Sequence, residues 1–230
     1  MIGVAFVFTG WLIGRVIYGY VHRFAFRLSQ EIHAAYIEIY PENPPHFTPE
    51  KSILTPMKSK ISQPYYCLFF ALLFALCYWL NEDIFTAICW ACFCSLLFAI
   101  SVVDGYYRLI SPILCQNLFA LGLGAAYWQI TPLTLEQSLQ SAVIFFSVFS
   151  LIYYGAKGYY KQEAFGRGDC WLALGLGTFF SYEQLPAFLL LACLSGLVYA
   201  LYGKLSKRHL TTIPFGPFLS LSGVLCRLLN

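Results

Sequence analysis

The chain has 230 residues, of which 59% are apolar and only 11% charged, with a formal net charge of +3. That is about half the charge of an ordinary soluble domain, and a water-soluble globule of this size could not hide so much apolar surface. A soluble enzyme is excluded, no nucleic-acid partner is expected, and the lipid bilayer is the medium the composition demands.

Stretches of the length a hydrocarbon core requires recur along the whole chain. The fold class expected is all-α, a polytopic membrane bundle of about eight transmembrane helices. The first, 2–19, lacks a basic leader region and a small-residue cleavage site, so it reads as a retained span. The others are expected near 63–80, 84–103, 109–130, 139–156, 169–182, 185–202 and 213–229. Three parts follow: the first span (1–19), a short loop (20–62) and a seven-helix core (63–230).

The connections alternate in charge. Arg23, Arg27, Lys51, Lys58, Lys60, Arg108, Lys157, Lys161, Arg167, Lys204, Lys207 and Arg208 are 12 of the 14 basic residues, and all lie in segments 20–62, 104–108, 157–168 and 203–212. The remaining connections carry only Glu82, Asp83, Glu136 and Glu183. The positive-inside rule then places the basic loops in the cytoplasm and both termini in the periplasm of a bacterial inner membrane. Tyr78, Trp79, Tyr127, Trp128 and Tyr182 fall at the outer ends, where amphipathic rings prefer to lie.

Loop 20–62 opens with a helix-like run through Arg27, Ile32 and Ile37 and breaks at Pro41, Pro44, Pro45 and Pro49. It is too short to bury a core of its own. The nine cysteines sit in apolar stretches or at their edges; Cys89, Cys92 and Cys94 imitate a metal cluster but read as packing residues, so no metal is assigned.

Asp104 and Asp169 stand out among three aspartates. Each lies at the cytoplasmic end of an apolar span, Asp104 in Ser101-Val102-Val103-Asp104-Gly105 and Asp169 in Gly166-Arg167-Gly168-Asp169. Topology puts both carboxylates at one membrane depth, facing the cytoplasm. Two carboxylates sharing a site cannot both ionise readily, so one takes a proton from water while the other polarises a peptide carbonyl. No metal or cofactor is needed. Gly166 and Gly168 would let an extended backbone approach Asp169 and would make unusual φ values available. By spacing alone, Asp169 also reads as a helix cap and Asp104 as a solvated charge beside Arg108. A proton-coupled transporter using both acids as relays is a further reading, although Arg15 is the exception to a near absence of ionisable groups at mid-span.

Gly166-Arg167-Gly168-Asp169 resembles the GxGD segment of the bacterial type IV prepilin leader peptidases, membrane aspartic peptidases. Asp104 stands where that family places its first aspartate, and Leu109-Ile110 resembles the hydrophobic pair that follows. Pro214-Phe215-Gly216-Pro217-Phe218-Leu219 is similar to the family's PFGPFL segment, and Ile13-Gly14-Arg15-Val16-Ile17 to a stretch in its first span. The resemblance implies that Asp104 and Asp169 are catalytic and that Gly166, Gly168, Pro214, Phe215, Gly216 and Pro217 shape the site. It implies prepilin and type II secretion pseudopilin precursors as substrates, cut between a short basic leader and an apolar helix. Glu31, Glu38, Glu42, Glu50 and Glu163 are the acidic candidates for meeting such a leader. The chain departs from the family at Ser111-Pro112, where Pro-Asp is usual, and at Trp171, where Lys is usual. Loop 20–62 also lacks the family's paired Cys-x-x-Cys motifs. That loss bears on N-methylation, which the resemblance implies with S-adenosylmethionine as donor, and leaves the peptidase dyad untouched.

Overall fold

The computed structural model describes residues 1–42, 46, 54–57, 61–161, 166–206 and 213–229. Lys51, Lys58, Lys60, Lys207, Arg208, Glu50, Glu163, Pro44, Pro45 and Pro49 lie outside the described residues. Among the described residues the chain is all-helical and multi-pass, and it divides into two compact units, Met1–Leu76 and Cys77–Asn230.

The first unit is built on α1 (Ile2–Ile39) and the larger part of α2 (Gln63–Leu80). One stripe of α1 is buried: Phe6, Gly10, Gly14, Ile17, Val21 and Phe24, spaced three or four apart as a single helix face requires. The two glycines in the stripe let the helices meet backbone to backbone. A Cβ on Gly14 would stand 2.7 Å from the Tyr66 carbonyl oxygen, and one on Gly10 would lie 2.9 Å from Ala71 Cα. Small residues four apart are the usual means of close approach where lipid supplies no hydrophobic drive between helices. The helix does not stop at residue 19. It runs 38 residues, about 57 Å at 1.5 Å per residue, well beyond the ~30 Å of a hydrocarbon core. Arg23 and Arg27 end the apolar stretch without disturbing helical hydrogen bonding. The helix ends at Tyr40, whose N–H donates to Tyr36 O, immediately before Pro41.

The second unit contains α3 (Ile84–Tyr107), α4 (Pro112–Tyr127), α5 (Leu135–Tyr160), α6 (Arg167–Gly177), α7 (Leu185–Leu205) and α8 (Gly216–Leu229). Asp83 caps α3, accepting the Thr86 N–H at 2.8 Å. Thr134 and Gln137 form a reciprocal capping box on α5, so that helix begins at Leu135 rather than near 139. A 3-10 turn at Tyr182–Gln184 leads into α7.

Among the described residues, five segments are long and apolar enough to cross a membrane: α1, α2, α3, α5 and α7 with its leading turn. The other three are shorter than the spans expected from sequence. α4 has 16 residues, α6 has 11 and α8 has 14, or about 24, 17 and 21 Å. The chain geometry explains α4: Pro112 opens it after the Ser111 N-cap, and Gln129 takes the left-handed region at φ 56° just beyond its end.

The short helix α6 is the centre of the unit, packed on α4, α5 and α8. Asp169, Cys170, Leu172, Ala173, Gly175, Leu176 and Gly177 are all buried. A Cβ on Gly177 would lie 2.8 Å from Ala142 Cα of α5. Beyond its end, Phe179 packs on Phe93 with ring centroids 4.6 Å apart. Outward-facing Leu151, Leu190 and Val198 are exposed, as lipid contact rather than water would have it.

Candidate active site

Asp104 lies inside the last turn of α3 rather than beyond it. Its carbonyl accepts the Arg108 N–H at 2.8 Å, and Arg108 in the left-handed region terminates the helix. The carboxylate points into the bundle, and the residue is 5% exposed. A solvated end-of-span charge is thereby ruled out.

The partner of that carboxylate comes from 112 positions further along the chain. At the start of α8, Phe215 O accepts the N–H groups of Phe218 (3.0 Å) and Leu219 (3.1 Å), while Pro217 has no N–H to offer. The Gly216 N–H is an orphan donor of the kind every helix start presents, and it donates to Asp104 Oδ2 at 2.9 Å. Gly216 must be glycine for this contact, since a Cβ there would stand 2.7 Å from the same oxygen. Pro214, Phe215 and Pro217 flank it, partly buried. The segment opens α8 and holds Asp104 in one act.

Asp169 is the third residue of α6 and also 5% exposed. The N-cap position belongs to Gly166, so Asp169 is not the cap that spacing alone allowed. Its N–H donates to Gly166 O at 3.2 Å. Its Oδ1 is buried without a hydrogen-bond partner among the described residues. Asp104 and Asp169 are close enough to act electrostatically on one another. The starts of α6 and α8 and the end of α3 therefore meet at one end of the second unit.

The two glycines before Asp169 have packing reasons. A Cβ on Gly166 would lie 3.0 Å from Asp169 Oδ2, and one on Gly168 would lie 2.7 Å from Ile110 Cβ. Among the described residues no glycine has positive φ, so the conformational reason expected from sequence is not the one in use. Ile110 seats the start of α6 on the α3–α4 connection.

Tyr153 was not singled out in the sequence. Its hydroxyl accepts the Arg167 Nε–H at 2.9 Å, and the guanidinium also lies over its ring, 5.7 Å from the centroid. This ties the first residue of α6 to α5. As one of a Tyr-Tyr pair near a helix end, it looks in sequence like any interfacial aromatic. Trp171, at the position where the family usually has Lys, is 49% exposed and packs on Phe146 at 5.6 Å between centroids, away from the carboxylates. Glu31, Glu38 and Glu42 are exposed on the first unit.

Comparison with known proteins bears directly on this arrangement. A family model described as the type IV leader peptidase family matches residues 91–201, which include Asp104 and Asp169. A prepilin leader peptidase/N-methyltransferase of Haemophilus influenzae is 38% identical over 227 residues, covering 98% of this chain and 96% of the relative. A type 4 prepilin-like proteins leader peptide-processing enzyme of Escherichia coli is 36% identical over 128 residues, 56% of this chain and 46% of the relative. Leader peptidase HopD of Salmonella typhimurium is 33% identical over 104 residues, 44% of this chain and 67% of the relative. No solved structure matches.

A multi-pass helical bundle with this likeness is a membrane peptidase. The chain belongs to the type IV leader peptidase family.

Proposed function

We propose that the chain is an aspartic endopeptidase that removes the short basic leader from type IV prepilins and type II secretion pseudopilins. Asp104 and Asp169 are its catalytic pair, working at the cytoplasmic face of the inner membrane, with both termini in the periplasm. The observation that carries this reading is the pairing itself. Two acids 65 positions apart in sequence are buried within electrostatic reach, one held by a backbone amide and the other with an oxygen unpartnered among the described residues.

The chemistry follows from what each group can do. The Gly216 N–H fixes the rotation of the Asp104 carboxyl, and the first turn of α6 carries Asp169. A water between them loses a proton to the ionised member and attacks the scissile carbonyl. The protonated member donates to the carbonyl oxygen as it gains charge. The proton then passes to the leaving amine, and the pair returns to sharing one proton. Gly166, Gly168, Pro214, Phe215, Gly216 and Pro217 act by holding the two acids close to backbone rather than by touching the reacting atoms.

The Haemophilus relative's name includes a second activity, and the match covers 96% of that relative, so a protein with little additional length carries that name. The same experiment reads both activities. Purified protein is incubated with a prepilin and S-adenosylmethionine, here a methyl-donating substrate, and the product's N-terminus is analysed by mass spectrometry. Loss of the leader is expected; an intact leader with well-folded enzyme contradicts the peptidase reading. A product heavier by one methyl shows N-methylation, and an unmodified terminus shows leader removal alone.

A further inference from the structure

A second polar site lies at the opposite end of α3 from the aspartates. Thr86 and Asp104 are separated along the helix by about 27 Å at 1.5 Å per residue. Near Thr86, in the last turn of α8, is Arg227, which with Arg15 is one of the two basic residues outside the cytoplasmic segments of the charge map. Its guanidinium lies 4.5 Å from the centroid of Trp90, and Nη2 donates to Asn81 Oδ1 at 3.4 Å. Neither contact neutralises the charge, and one long hydrogen bond uses one of five donors. A cation at the end of a membrane helix is best satisfied by a counter-charge or water.

Arg227 lines a cleft of about 230 Å³ together with Thr86, Ser181 and Gln184. Gln184 spends its amide oxygen on the Ser181 N–H at 3.1 Å, which leaves its NH₂ to donate. The cleft shares Thr86 and Ile130 with a larger groove of about 810 Å³, walled by Phe85, Ile88, Leu121, Gly124 and Trp128 between α3 and α4. Asp83 stands at this groove's edge. Hydrogen bonds from the Thr86 N–H (2.8 Å) and hydroxyl (3.0 Å) hold its carboxyl below the usual carboxylate range, so it is anionic at neutral pH. One cation, one anion and an apolar groove thus share a single rim.

We propose that this composite site binds one phosphatidylethanolamine molecule of the bilayer, its phosphate on Arg227, an acyl chain in the α3–α4 groove and its ammonium toward Asp83. The charges select the occupant. A phosphate suits a guanidinium by fork geometry, with Gln184 as a neutral donor beside it. An uncharged or anionic headgroup would bring no counter-charge to the Asp83 carboxylate. The groove's volume lies within the range of roughly 300–1,000 Å³ typical of ligand sites. The site is independent of the aspartate pair.

The test is lipid retention by the intact protein, purified in mild detergent and examined by native mass spectrometry. Wild type should retain phosphatidylethanolamine in preference to phosphatidylglycerol. Arg227→Gln should retain about tenfold less or lower still, the loss expected when a charge-assisted hydrogen bond is removed. Asp83→Asn preserves the helix cap, since asparagine caps as well as aspartate, and should keep a lipid while losing the preference for the amine headgroup. Gly124→Leu directs bulk into the groove and should reduce retention with Arg227 intact; it serves as the second variant if Arg227→Gln does not fold. Equal retention by wild type and both Arg227→Gln and Gly124→Leu would overturn the proposal. So would a thermal shift of the delipidated protein by inorganic phosphate equal to that given by phosphatidylethanolamine, which would make the ligand a free anion.

Discussion

Two pairs of glycines, one from each unit, serve different ends. In the first, Gly10 and Gly14 omit a side chain so that the α2 backbone fills the space, and the result is packing alone. In the second, Gly166 and Gly216 omit a side chain where the nearest atoms are the carboxylate oxygens of Asp169 and Asp104. The same missing Cβ therefore brings backbone to backbone in one place and reactive group to backbone in the other. Substitution should cost stability in the first case and rate in the second, and the predictions below test that division.

The largest of these effects belongs to the acids themselves. Asp104→Glu and Asp169→Glu keep the charge but advance the carboxylate by about 1 Å, which is expected to cost about 10²-fold in kcat. Prepilin cleavage rates measured at saturating substrate check this. Gly216→Ala comes next, because its methyl must push Asp104 Oδ2 away and weaken the 2.9 Å bond. A loss of about tenfold in kcat, with little change in thermal midpoint, is expected on the same positional argument. Gly196→Ala is its control. Its Cβ would meet Phe218 at an ordinary 3.6 Å, and cleavage should be unchanged.

Gly14→Val reverses the pattern. Overpacking against Tyr66 should destabilise the protein by about 1–3 kcal/mol, seen as a lower thermal midpoint in detergent, while kcat per folded molecule holds. The smallest effect is expected of Tyr153→Phe. It removes the hydroxyl that accepts from Arg167 Nε but keeps the ring beneath the guanidinium, a loss of about 0.5–1.5 kcal/mol. A kcat decrease smaller than that of Gly216→Ala would agree; an equal or larger one would make Tyr153 the main anchor of α6.

Part of this was legible in the sequence for physical reasons. Helices α2, α3 and α7 announce themselves because apolar length and loop charge report the membrane directly. The helix-like run through Arg27, Ile32 and Ile37 and its break at Pro41 were legible too; that this run is one helix with the first span was not, since a membrane boundary changes side-chain chemistry and leaves the backbone free to continue. The α5 start could have been read from Thr134 and Gln137, whose spacing is that of a capping box. Asp104, Asp169 and Gly216 were each named in advance. The hydrogen bond from Gly216 to Asp104 was not foreseeable, because a contact spanning 112 positions depends on where α3 and α8 pack, which no local pattern records. For Gly168 the sequence offered unusual φ, which the structure does not use, and did not show Ile110 across the α3–α4 connection, which stands where a Cβ would be.

Leader removal by the asparagine variants tests the two-aspartate account most directly. Asp104→Asn and Asp169→Asn preserve volume and hydrogen-bonding capacity, so expression and insertion should stay near wild type. Neither amide can serve as general base or share the dyad proton. Each variant should therefore lose at least about 10²–10⁴ in cleavage rate, and the double variant should be no worse than either alone, as groups acting as a unit behave. Asp83→Asn, at the far end of α3, should mature prepilin normally. If either single variant, well expressed, processes prepilin at the wild-type rate, the two-aspartate account is wrong.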